Sequence, residues 1–118
     1  MKYMLLIYHD TTAWEKFSQS EQAKFMGEYM QFTQEITEGG QYLASAQLHP
    51  ASAATSVRIR SGKRLVTDGP FAETHEQLAG YYLIEAKDLD EAIGIAARIP
   101  SAPSGTGEIR PVVERPAS

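Results

Sequence analysis

Residues 2–8 read Lys-Tyr-Met-Leu-Leu-Ile-Tyr, with Tyr3, Leu5 and Ile7 on one alternating face and Met4, Leu6 and Tyr8 on the other. Side chains point to opposite sides along a strand, so a strand that is apolar on both faces has to be covered twice. Residues 80–86 repeat the requirement, because Tyr81, Tyr82, Leu83 and Ile84 form a second apolar run. Whatever fold this chain adopts must shield both sides of these strands.

The helical material available for this is limited. From 21 to 38, Phe25, Met26, Tyr29, Met30, Phe32, Thr33 and Ile36 recur at three- and four-residue steps against a charged opposite side. That spacing predicts one long amphipathic helix. Ser18 and Glu21 stand at capping-box spacing before it, and Gly39-Gly40 stops it. The second helix is shorter: Asp88 and Glu91 repeat the capping spacing, and Leu89, Ala92, Ile93, Ala96 and Ala97 make an alanine-rich stripe ending before Pro100. Around these lie a loop at 11–19 with a short helical turn near Trp14 and Phe17, and a strand at 41–48 closed by His49-Pro50. After a small-residue connector, 55–60 and 63–67 alternate about Ser61-Gly62 and read as a β-hairpin. Residues 108–113 are a last strand, lying at an edge or turning Pro111, which lacks an amide donor, away from a neighbour; residues 114–118 should fray.

Strand, helix, strand, hairpin, strand, helix, strand is an α+β chain of βαββαβ type with an inserted β-hairpin, the split βαβ or ferredoxin-like arrangement. Two helices cover only one face of such a sheet. The economical cover for the other is a second copy packed sheet to sheet about a two-fold axis, so a homodimer is expected. With 118 residues the chain forms one domain, 1–118, large enough to bury roughly two-thirds of its unfolded surface.

Composition narrows the function classes. The chain has no cysteine, which removes disulfides, thiolate zinc sites and cysteine nucleophiles and fits a reducing cytoplasm. The apolar run at the start is too short for a signal-peptide core, and no run approaches a membrane span, so no membrane association is expected. A net charge of -4 with scattered basic residues argues against binding a phosphate backbone, and no direct nucleic-acid binding is expected. The three histidines have no His-x-His or His-x3-His spacing, so neither a metal nor another cofactor is expected.

The stretch 68–86 is where chemistry is expected. Gly69 and Pro70 break regular structure, and Asp68, Phe71, Glu73, His75 and Glu76 crowd around that break before the strand resumes. Asp68 reads either as a carboxylate base or metal ligand at a cleft, or as a turn residue bonding to neighbouring backbone. Glu73 and Glu76 suit a helix start as well as a site. His75 would serve as a proton shuttle if the segment curls back toward Asp68, and is otherwise a solvated side chain. His9 and Asp10 are adjacent on an extended chain and cannot enter one pocket together without a turn. His49, at another strand end, can face the same region as His9. Tyr81 and Tyr82 lie on opposite sides of their strand, as core residues or as a phenol orienting a ligand. Glu85 and Arg110 suggest a structural ion pair.

Six segments together carry a resemblance: KYMLLIY at 2–8, VTDGPFAET at 66–74, EQLAGYYLIEA at 76–86, DLDEA at 88–92, ARIP at 97–100 and EIRPV at 108–112. The chain resembles the DGPF-motif branch of the YCII-related family over nearly its whole length. The resemblance implies a ferredoxin-like domain that pairs into a dimeric α/β barrel. It also implies small enzymes using a histidine and aspartate pair, one relative being a dehydrochlorinase; the place of that histidine falls near Tyr29 on a helix that here has none. Members of the branch often occur beside sigma factors of the extracytoplasmic-function type, which implies a regulatory or stress context.

Two functions are therefore expected of different classes. One is a small-molecule binding protein or enzyme with acid/base groups in a barrel cleft: Asp68, His75 and His9 as catalytic residues, and Gly69, Pro70, Phe71, Glu73 and Tyr82 against the substrate. The other is a non-catalytic dimeric regulatory module, connected with sigma-factor-dependent transcription.

Overall fold

The computed structural model describes residues 1–115. The expectation of fraying falls partly on 116–118, outside the described residues. The chain runs β1 (Lys2–His9), α1 (Thr11–Glu15), α2 (Gln19–Glu38), β2 (Tyr42–Gln47), β3 (Thr55–Arg60), β4 (Lys63–Asp68), β5 (Gln77–Glu85), α3 (Leu89–Ala97) and β6 (Thr106–Pro111), with a short 3-10 turn at Ala51–Ala53. Four strands form one antiparallel sheet in the order β2-β5-β1-β6, and β3 and β4 form a separate two-stranded ribbon. This mixed architecture is compatible with the ferredoxin-like α+β plan, with the hairpin inserted between β2 and β5. Pro111 lies on the edge strand, where no neighbour asks for its missing amide.

The local signals act as the physics of caps and turns requires. The Ser18 side chain accepts from the Glu21 amide at 3.1 Å while Glu21 Oε1 takes the Ser18 amide at 3.3 Å, a complete capping box. At the other end Gly40 has φ +77°, and the Gly40 and Gln41 amides return to the Thr37 and Ile36 carbonyls, so α2 closes in a Schellman motif. Ser61 and Gly62 both have positive φ (52° and 74°), the type I′ geometry whose twist suits a two-residue hairpin.

Tyr3, Leu5 and Ile7 of β1 and Tyr82 and Ile84 of β5 are buried beneath Phe32 and Ile36 of α2 and Ala92, Ile95 and Ala96 of α3. Arg98, just past α3, reaches Glu35 of α2 at 2.6 Å and lies over the Phe32 ring, fastening the two helices. Among the described residues, no helix covers the opposite side of the same strands. Met4, Leu6, Tyr8, Tyr81 and Leu83 stay only half-buried there, the state that the two-sided pattern of residues 2–8 foreshadows. The expected Glu85–Arg110 pair is absent because β1 separates β5 from β6; Glu85 takes the Met1 ammonium at 2.7 Å and Arg110 takes Glu108 at 2.7 Å.

The hairpin is an arm, every residue from Val57 to Asp68 being exposed. The radius of gyration is 16.3 Å, against about 13.5 Å for a compact domain of this length. With extents of 48 × 47 × 20 Å the molecule is a plate, one sheet and one helix layer thick.

Candidate functional site

The first half of α2 overshoots the core. Phe32 and Ile36 are buried on the sheet, yet Met26 is 40 % and Met30 70 % exposed, although both belong to the same apolar stripe. They and Phe25 and Tyr29 overhang the end of the sheet where β1 and β2 finish and β5 begins. The gap between is a cleft of about 1050 Å³. Its roof is a chain of rings from α1 and α2: Trp14 meets Phe25 edge-on with centroids 5.9 Å apart, and Phe25 meets Tyr29 at 5.6 Å. Its floor is sheet, with the small residues Ala46, Ala79 and Gly80.

The floor is small for structural reasons. A Cβ on Gly80 would come 2.8 Å from the Ala46 carbonyl oxygen, so β5 passes β2 there only without a side chain. The β1–β5 register shifts at Ile7/Tyr8, where Gly80 pairs with Ile7 but Leu78 pairs with Tyr8, leaving Ala79 as the extra residue of a bulge. A bulge bends its strand and re-aims the neighbouring side chains, here at the cleft rim.

Polar groups enter from three sides. His9 arrives from the end of β1, His49 and Gln47 from the end of β2, and Thr33 from α2. Tyr82 rises from β5, with its hydroxyl 2.7 Å from Thr33 Oγ1, which itself donates to the Tyr29 carbonyl at 2.9 Å. The Tyr29 hydroxyl meets Ser101 Oγ at 2.6 Å. Burial pushes both tyrosine pKa values above the ordinary phenol value, so each stays a neutral phenol across the physiological range. The loop behind His9 is tightly fixed, since any side chain at Gly105 would collide with the Tyr8 carbonyl.

The chain turns directly after His9. Asp10 caps α1, its Oδ1 accepting from the Thr12 hydroxyl at 2.6 Å and the Thr12 amide at 3.0 Å. Those bonds, with the field of the His75 imidazole as a smaller contribution, hold the Asp10 carboxyl below the usual aspartate range. Thus His9 lines the cleft while its neighbour serves a helix end. Gln77 secures the same corner, its Oε1 accepting from the amide and hydroxyl of buried Thr11 at 3.1 and 3.2 Å.

Of the residues expected at the site, His9 and Tyr82 line the cleft. Asp68, Gly69, Pro70, Phe71, Glu73 and His75 do not line it within one chain. Gly69, at φ +94°, closes the base of the arm: its amide donates to the Ala54 carbonyl at 2.6 Å and its carbonyl accepts from Ser56 Oγ at 2.8 Å. Asp68, the last residue of β4, is exposed, as are Glu73 and His75, and Phe71 is 78 % exposed. Residues 71–76 form an open strap and do not curl back as a helical turn; the charge that His75 influences is Asp10. Among the described residues no three His, Asp or Glu side chains gather as a metal-holding group, and no helix is long and apolar enough to cross a membrane. Tyr29 packs against the core while also lining the cleft, and Phe25, Met26 and Met30 of the same apolar stripe line the cleft beside it. The width of the α2 stripe, more than one helix face can bury on a four-stranded sheet, was the signal for a second role.

A helix-covered antiparallel sheet with an aromatic cleft at one end and an arm inserted before its third core strand defines a small α+β domain. The YCII-related domain model matches residues 1–115, and the chain belongs to that family. It is similar to the uncharacterized protein R00369 of Rhizobium meliloti (strain 1021), 38% identical over 114 residues that cover 95% of this chain and 92% of that protein.

Proposed function

We propose that this chain is a small-molecule binding protein of the DGPF branch of its family, working as a homodimer in the cytoplasm, with acid/base chemistry offered at the cleft mouth by His9. One observation carries the reading: the cleft of about 1050 Å³ between an aromatic roof and a flat floor. Ligand pockets are of this order of size and combine apolar walls with a few placed polar groups. A thermal-shift screen of metabolites tests it, since a ligand that binds only the folded state at 100 times its Kd stabilises by about 2.7 kcal/mol. Hits should perturb the NMR signals of Tyr82 and Ser45 and weaken in His9→Gln. Hits that map instead to the open sheet face or the arm would remove the cleft from consideration.

The dimer rests on the sheet face that no helix covers. Met4, Leu6, Tyr8, Tyr81 and Leu83 form an apolar centre there, and Lys2, Glu85, Glu108 and Arg110 share that side toward its margins. An apolar centre with a charged rim is the anatomy of a protein interface. Two such plates packed face to face about a two-fold axis close the dimeric α/β barrel.

The arm supports the second reading, a non-catalytic partner module connected with sigma-factor-dependent transcription. Val57, Ile59, Leu65 and Val66 are 48–59 % exposed on it. It also carries Arg58, Arg60, Lys63 and Arg64 on a chain of net charge -4. An apolar and cationic projection suits an acidic protein surface. Loss of a cleft ligand's effect in His9→Gln favours the first reading; capture of a transcription protein that requires an intact arm, with no ligand response anywhere in the screen, favours the second.

A further inference from the structure

Among the described residues, the cleft, for all its polar groups, is lined by no Lys, Arg, Asp or Glu. On a chain in which 22% of residues are charged, the side chains over α1, the first half of α2, and the ends of β1, β2 and β5 leave this one hollow without a fixed charge. A carboxylate or phosphate moved into such a site would lose water and gain no counter-charge, which is strongly unfavourable. Sugar phosphates, nucleotides and acyl carriers bearing phosphate groups are poor occupants on that ground.

The shape and the hydrogen bonds narrow the class further. The roof is rings and the floor is Ala46, Ala79 and Gly80, so the space between is a slot suited to a flat ring stacked under Phe25 and Tyr29. The Thr33 hydroxyl spends its only proton on the Tyr29 carbonyl. The 2.7 Å contact between Thr33 Oγ1 and the Tyr82 hydroxyl therefore has Tyr82 as its donor. The Tyr82 oxygen is left with lone pairs alone, and it can only accept from a ligand.

Resting on the small-molecule reading above, we infer that the occupant of the cleft is an uncharged, flat ring compound carrying a hydroxyl or N–H that donates to Tyr82. The site selects against anions by lacking any Lys or Arg, and against fully alkylated rings by leaving the Tyr82 oxygen unmatched.

Three probes of one shape test this: 2-naphthol, 2-methoxynaphthalene and 2-naphthoate, titrated by calorimetry at one pH near neutrality, where the first two are uncharged and naphthoate is an anion. Naphthol is expected to bind at least about ten-fold more tightly than naphthoate, the penalty of an unpaired buried charge. It should exceed the methoxy compound by about three- to ten-fold, the value of one hydrogen bond. In Tyr82→Phe the naphthol and methoxy affinities should converge. Met30→Lys, at a position 70 % exposed on the cleft wall, should raise naphthoate affinity and leave the fold undisturbed. Naphthoate binding as tightly as naphthol in the unaltered protein would overturn the inference while leaving the cleft a binding site. No probe binding at millimolar concentration would overturn both.

Discussion

At Gly80 and Asp10 the consequences of single side chains can be argued closely. An Ala at 80 sets a methyl 2.8 Å from the Ala46 carbonyl, a contact with backbone that cannot rotate away. Gly80→Ala should therefore cost about 1–3 kcal/mol in urea unfolding and weaken cleft ligands by displacing β2, as overpacking does. A neutral effect on both would mean that the two strands are freer than they look. Asp10 gives a pH signature. Its folded pKa is depressed, chiefly by the Thr12 hydroxyl, so its stabilisation is present above the unfolded value of about 3.9 and drains away as pH falls through the folded one. The melting temperature of the unaltered protein should exceed that of Asp10→Asn near neutrality, and the gap should close in acid; a gap that widens in acid would contradict the cap. Asp68, exposed and outside the lining of its own chain, should leave a cleft ligand within about two-fold of its affinity when changed to Asn, as surface positions remote from contacts do. A ten-fold loss there would bring the partner copy's arm to the cleft.

Elements are where the sequence was most legible, because caps and turns act locally. Ser18 with Glu21, Gly39-Gly40 and Ser61-Gly62 each set a boundary through bonds to residues a few positions away, and each boundary lies where the pattern puts it. Ser18→Ala should cost about 1 kcal/mol by chemical denaturation, the usual value of an N-cap, and fray the first turn of α2 in hydrogen exchange. A stability loss without faster exchange at the amides of residues 20–22 would locate the effect elsewhere. What the stripe on α2 could not convey is where the sheet beneath it ends. Apolar spacing announces a face that avoids water; it does not say whether protein or a hollow lies opposite. Phe32 and Ile36 found β1 and β5, whereas Phe25 and Met30 found the cleft.

For the whole molecule, the two-sided greasiness of β1 and β5 is the governing fact. With Met4, Leu6, Tyr81 and Leu83 half-exposed and the helices on the far side, a single copy leaves an apolar sheet face open to water. Sedimentation at micromolar concentration should give about twice the 13.0 kDa chain mass. Leu6→Asp should return it to one copy, since a charge buried in that face lacks a partner. A monomeric parent protein would refute the dimer directly. The alternation of residues 2–8 and 80–86, the helix periods and the turn chemistry by themselves determined a mixed α+β chain with an inserted hairpin, compatible with the split βαβ plan, because each depends on neighbours in sequence. Tertiary structure alone decided that the hairpin stands out as an arm, that Asp68 and His75 lie away from the hollow while His9 and Tyr82 line it, and that the overhang of α2 makes a cleft without fixed charge. Those outcomes depend on where elements end relative to one another in space, and no local pattern encodes that distance.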